Sequence, residues 1–153
     1  MKSVSIEVLG SFFTQAFLEV ISKASGFSLD VLSDERDESF DEYVAAMSLN
    51  SIRGGVLFIS AGEASLRTLC SYIEGTHEEK ITREDLKDVL CEILNMTAGN
   101  AKLYLNDTEY MYSLSTPFII NGTDLSITTK KRAGVISRTL GSGGVSLKLK
   151  VVY

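Results

Sequence analysis

The 153-residue chain has no tryptophan, one proline, one histidine and two cysteines. Each scarcity closes off a class of function. The lone histidine, His77, stands beside Glu78 and Glu79 in a polar turn, so neither a histidine-rich metal site nor a Ser-His-Asp arrangement is available. Cys70 and Cys91 lie far apart in predicted helices and read as small core residues of a reducing compartment. Basic residues are outnumbered, 15 Lys and Arg against 20 Asp and Glu, for a net charge of -5. That balance argues against nucleic acid, whose recognition needs a clustered basic footprint. The one basic run, Lys130-Lys131-Arg132, reads as a solvated loop or strand end. No apolar run approaches the roughly 20 residues that span a bilayer, and no charged start leads into an apolar signal segment. The expectation is a cytoplasmic protein that neither enters membranes nor binds nucleic acid.

The length suits one domain over residues 1–153, large enough to bury a core without disulfides or metal. Helical spacing of Ile6, Leu9, Phe13, Phe17, Val20 and Ile21 predicts a first helix from Ser5 to about Lys23, stopped by Gly26. Phe27–Leu32 reads as a strand and Ser33–Asp41 as a charged connection. Glu42–Leu49 admits strand or short helix; strand is chosen, because the strong strand Arg53–Ser60 follows and Asn50-Ser51 can lie at a hairpin turn. Within that strand Gly54-Gly55 predicts a bulge or tight sheet packing. Glu63–Ile73 is a second helix, ended near Gly75. Beyond a third helix, Glu109–Ser115, Phe118–Ile120, Leu125–Thr129, Ala133–Thr139 and Val145–Val151 are β-rich, with Pro117 at an edge or bulge. Gly141-Ser142-Gly143-Gly144 resembles a phosphate cradle only superficially. It lacks the Lys-Ser/Thr that opens a P-loop helix and leads into an alternating strand, so a hairpin connection is expected. A helix-rich first half and a strand-rich second half predict an α+β domain with a largely antiparallel sheet packed with helices.

The third helix, Thr82–Leu105, is the longest. Thr82 and Asp85 form a capping-box-like start, and Glu84 and Asp85 put negative charge in the first turn. Leu86, Val89, Leu90, Ile93, Leu94, Thr97, Ala101 and Tyr104 fall on one broad apolar face. Opposite them Asp88, Glu92 and Asn95 stand at i, i+4 and i+7, and Gly99 and Lys102 continue the line. A carboxylate and a carboxamide one turn apart can pair a cation and aim a water. Gly99 costs the helix roughly 1 kcal/mol relative to alanine. From the residues alone, a merely solvated polar stripe is the better account of the pattern. Asn100, at the edge of the apolar face, is expected to make a buried hydrogen bond to backbone.

Asp88-x-x-x-Glu92-x-x-Asn95, continued by Met96-Thr97-Ala98-Gly99-Asn100-Ala101-Lys102, resembles the signature of the CheC/CheX/FliY chemotaxis phosphatases, and within them CheX most. Arg53-Gly54-Gly55-Val56-Leu57-Phe58 before a short helix and Ser113-Leu114-Ser115-Thr116-Pro117 after the long one extend the likeness over most of the chain. In the first helix Glu19-Val20-Ile21-Ser22 has the spacing of a second motif, but with serine where asparagine is wanted. The resemblance implies a CheC-like fold, a homodimer, and hydrolysis of the aspartyl phosphate on a CheY-like receiver. Asn95 would orient the hydrolytic water and Glu92 would pair with the receiver's lysine. Gly99 would permit close approach, and the role of Asp88 stays open between docking and solvation. No cofactor of the chain's own is implied; Mg²⁺ would belong to the receiver. The rival is a non-catalytic receiver-binding or flagellar-switch module using the same helix.

Overall fold

The computed structural model describes residues 1–128 and 134–153. The basic run Lys130-Lys131-Arg132 and the strand ends expected at Thr129 and Ala133 lie outside the described residues.

Among the described residues, six antiparallel strands form one sheet. In chain order they are β1 (Asp30–Ser33), β2 (Tyr43–Ser48), β3 (Val56–Ala61), β4 (Phe118–Asn121), β5 (Val135–Ser142) and β6 (Val145–Val152), arranged β1-β5-β6-β3-β2-β4. Three helices, α1 (Ile6–Ser25), α2 (Glu63–Glu74) and α3 (Arg83–Tyr104), share a core with this sheet. Pleating divides each strand between two faces. On β2, Tyr43, Ala45 and Met47 join the helices' core, while Val44 and Ala46 join a smaller cluster with Phe40, Phe58 and Val152. Five of the six β2 residues are therefore buried. Burial on both faces erases the polar alternation that marks a strand, which is why its sequence reads equally as a short helix.

The ends of α1 and α2 follow their residues. Ser5 caps α1 by accepting a hydrogen bond from the Val8 N–H at 3.3 Å. Gly26 and Gly75 end their helices in the left-handed region, at φ 81° and 63°, where an L side chain is strained. The β5–β6 hairpin turns on Gly143-Gly144, both at positive φ, the geometry that matches the twist of two paired strands. Gly55 packs tightly, as expected. A Cβ there would lie 2.9 Å from the Tyr153 ring.

Four expected strands differ. The first begins only at Asp30 and is an exposed edge pairing with β5. Arg53–Gly55 belongs to the β2–β3 loop, with β3 starting at Val56. Glu109–Ser115 is not a strand. The N–H groups of Thr108 and Met111 turn back to the carbonyls of Leu105 and Thr108, and only Ser113 pairs with another segment, at Asn50. Its alternating tyrosines imitate a strand because Tyr112 packs inward beneath the end of α3. Likewise 125–128 forms a single bridge, Ser126 to Ser39. Pro117 directly precedes β4, which among the described residues pairs with β2 alone and is the far edge.

Candidate functional site

The site is one face of α3, and both helix ends are built to hold it. The Asp85 N–H donates to Thr82 Oγ1 at 3.1 Å and the Thr82 N–H donates to Asp85 Oδ2 at 2.8 Å, completing a capping box. Those bonds hold the Asp85 carboxyl below its ordinary range, because they favour the charged form. At the other end the Leu105 N–H donates to the carbonyls of Ala101 and Lys102, and the buried Tyr112 hydroxyl donates to the Ala98 carbonyl at 2.6 Å. Leu86, Val89, Leu90, Ile93, Leu94, Thr97, Ala98 and Ala101 are buried. The helix is thereby fixed along its whole length with the opposite face turned outward.

On that outward face Asp88, Glu92 and Lys102 are exposed, and Asn95 and Gly99 are half-buried. Elsewhere on α3 several polar side chains are engaged: Arg83 with Glu63 at 3.4 Å, Glu84 with Lys87 at 3.3 Å, and Tyr104 with Glu19 at 3.1 Å. Among the described residues, no side-chain hydrogen bond or ion pair engages Asp88, Glu92, Asn95 or Lys102. The carboxylate and the amide are thus free for an external partner. Gly99 reinforces this. A Cβ at Gly99 would meet nothing within 4 Å, so packing gives no reason to accept glycine's cost in a helix interior. The Asn100 amide is half-buried and makes no hydrogen bond among the described residues, so the expected backbone bond is absent. In α1, Glu19 is occupied by Tyr104 and by Gln15 Nε2 at 3.2 Å, and Ser22 stands exposed.

Thiol chemistry is disfavoured. Cys91 lies on α3, and burial followed by the charge of Asp88 pushes its thiol up. Burial pushes the Cys70 thiol up to about 12. Neither is a thiolate at neutral pH, and the thiolate is the nucleophile. Among the described residues, no group of three His, Cys, Asp or Glu could hold a metal ion, and no helix is long and apolar enough to cross a membrane.

Beyond the stripe, the structure adds neighbours that helical spacing does not locate. Lys102 lines an open cleft of about 650 Å³ together with Asn50, Ser51 and Ile52 of the β2–β3 loop and Met111 and Ser113 of the segment after α3. Ile52 is 93% exposed. Its sequence signal is an isolated isoleucine between turn-forming Asn50-Ser51 and Arg53-Gly54-Gly55, a pattern easily absorbed into the adjoining strand.

Comparison with known proteins gives a consistent result. The family described as "Chemotaxis phosphatase CheX" matches residues 43–140, which include all of α3. Among solved structures, a chemotaxis protein CheX from Vibrio vulnificus superposes with a TM-score of 0.82 at 16% identity, over 94% of this chain and 97% of its own. A CheC-like superfamily protein from a Shewanella species gives 0.76 at 20% identity, over 94% and 96%. The CheX-CheY-BeF3-Mg²⁺ complex from Borrelia burgdorferi gives 0.73 at 13% identity, over 93% and 94%. At such identities the likeness is one of fold, and the fold is CheC-like. No match was found among curated protein sequences.

Proposed function

The chain belongs to the CheX family of chemotaxis phosphatases, and from that premise we propose that it hydrolyses the aspartyl phosphate of a CheY-like receiver domain. The observation that carries the reading is the pairing of Glu92 and Asn95 on one fixed outward helical face, with neither side chain engaged by the described residues. Phosphoryl transfer responds chiefly to positioning and electrostatics, so the protein need not supply a nucleophile. The Asn95 carboxamide has both donor and acceptor atoms and can hold a water without becoming an acid or base. Glu92, nearly one turn earlier, pairs with the receiver's lysine and anchors the helix. Gly99 lets the partner approach the helix backbone, and Asp88 extends the acidic end of the docking face.

Mg²⁺ belongs to the receiver, in keeping with the composition named for the Borrelia complex. This chain's residues are assigned no metal step. We place the protein in the cytoplasm as one functional unit over residues 1–153, acting as a homodimer; its two free thiols suit a reducing compartment.

Incubation with a panel of phosphorylated receiver domains, following inorganic phosphate release, tests the reading. Accelerated release from at least one receiver is expected. Binding to a receiver without acceleration would replace the phosphatase by a docking or switch module.

A further inference from the structure

Resting on the reading of α3 as a receiver-docking helix, we propose that the tip of the β2–β3 loop and Lys102 form a second contact with the same receiver. This contact determines which receivers are accepted.

The loop is a rigid presentation of one apolar side chain. The Leu49 N–H donates to the Gly55 carbonyl at 2.8 Å, and the Gly54 N–H donates to the Ser51 carbonyl at 3.0 Å with Gly54 at φ 64°. Asn50 and Ser113 exchange two backbone hydrogen bonds, at 3.1 and 2.9 Å. Arg53 pairs with Glu109 and lies over the Tyr110 ring, 5.8 Å from its centroid. The segment held this tightly projects Ile52, 93% exposed, while Met111, which lines the same cleft, is 49% exposed. Solvating an isoleucine at the tip of an ordered loop gives no folding benefit. A rigid apolar prong does benefit association, because little entropy is lost when it is covered.

The occupant follows from continuity and charge. Lys102 belongs both to the α3 stripe and to the cleft wall, and it lies seven residues, about 10 Å, beyond Asn95 along the helix. A receiver seated on Glu92 and Asn95 therefore comes within reach of the cleft. The stripe is also ordered by sign, with Asp88 and Glu92 at its start and Lys102 at its end, and no described acidic residue pairs with Lys102. That order fits a partner presenting a cation beside its phosphoryl group and an acidic group flanking an apolar hollow farther out. Complementarity of this kind fixes orientation and discriminates among partners.

The test compares the unaltered protein with Ile52→Ala and Lys102→Gln in steady-state phosphate release across the receiver panel, together with photocrosslinking from position 52 to purified receiver. Circular dichroism confirms that each variant folds. For the preferred receiver, Ile52→Ala is expected to raise KM roughly fivefold or more with kcat changed less than twofold, and to narrow the spread of kcat/KM across the panel. Lys102→Gln should weaken the dependence of KM on salt. A crosslink to the receiver supports the contact, whereas a crosslink solely to a second copy of this chain overturns it. Unchanged KM values in both variants, with phosphate release intact, overturn this inference alone. Failure of the unaltered protein to release phosphate from any receiver overturns the phosphatase reading and this inference with it.

Discussion

Glu92 and Asn95 stand one helical turn apart but have different roles, and kinetics should separate them. Asn95→Ala should slow single-turnover dephosphorylation roughly a hundredfold, the scale of losing one positioned polar group at a reacting centre. Receiver binding should stay nearly intact, because that amide acts mainly in the transition state. Glu92→Ala also removes a ground-state contact and should weaken binding in a separate titration. Neither change should move fold stability by more than about 0.5 kcal/mol, since neither side chain is held by the described residues. A wild-type rate in Asn95→Ala would remove the water-positioning role. A second residue-scale prediction concerns Asp37. Its carboxylate accepts from the Ser39 N–H at 2.9 Å, the Ser39 hydroxyl at 2.8 Å and Lys148 Nζ at 3.2 Å. The Ser39 bonds, with a smaller contribution from Lys148, hold the acid well below the ordinary carboxylate range. A depressed carboxyl contributes stability above the unfolded value, near 3.9, and loses it as pH falls toward the folded one. The Tm advantage of the unaltered protein over Asp37→Ala should therefore be full at neutral pH and narrow below about pH 4. A constant advantage across that range would assign the effect to packing instead.

At the scale of the element, α3 sets stability against contact at Gly99. The helical backbone and the open space above it predict that Gly99→Ala raises stability by about 0.5–1 kcal/mol in thermal or urea melts. Gly99→Trp should keep the fold by circular dichroism, since its Cβ meets no neighbour within 4 Å, yet it should abolish receiver-dependent phosphate release by holding the partner away. Full activity in Gly99→Trp would mean that the helix is not closely approached there. The same element shows why its neighbours matter. The Tyr112 hydroxyl on the Ala98 carbonyl and the capping box at Thr82 hold the two ends, so the face between them is presented without adjustment. Preorganisation of this kind lowers the cost of ordering a site on binding.

At the scale of the whole molecule, the sheet formed by the described residues leaves two edges, β1 and β4. Val31 and Leu32 on β1 and Phe118 on β4 are among the exposed large apolar residues. Unpaired strand edges of this composition invite pairing with another chain. Sedimentation at micromolar concentration should give a dimer, and a monomer would count against the proposed assembly. Because α3 presents its stripe on the helical layer and not on either strand edge, a dimer-breaking change at an edge is expected to lower Tm before it lowers single-turnover phosphate release.

Much of this architecture was determined locally and was legible in the chain itself. The extent of α3, its caps at Thr82 and Asp85, the glycine stops at Gly26 and Gly75, the buried rank from Leu86 to Ala101 and the exposure of Glu92 all follow from helical period and capping chemistry, which act within a few residues. The Gly143-Gly144 turn is local in the same sense. Tertiary structure decided what depends on partners distant in the chain. Tyr110 and Tyr112 alternate like a strand, but the space under the end of α3 took Tyr112 and left the segment unpaired apart from Ser113. β2 resembles a helix because both of its faces are covered, by residues far along the sequence. The apposition of Ile52 to Lys102 across 50 positions arises only when the β2–β3 loop, the segment after α3 and the helix meet, because side-chain period is local whereas a cleft is made by contacts that close long loops.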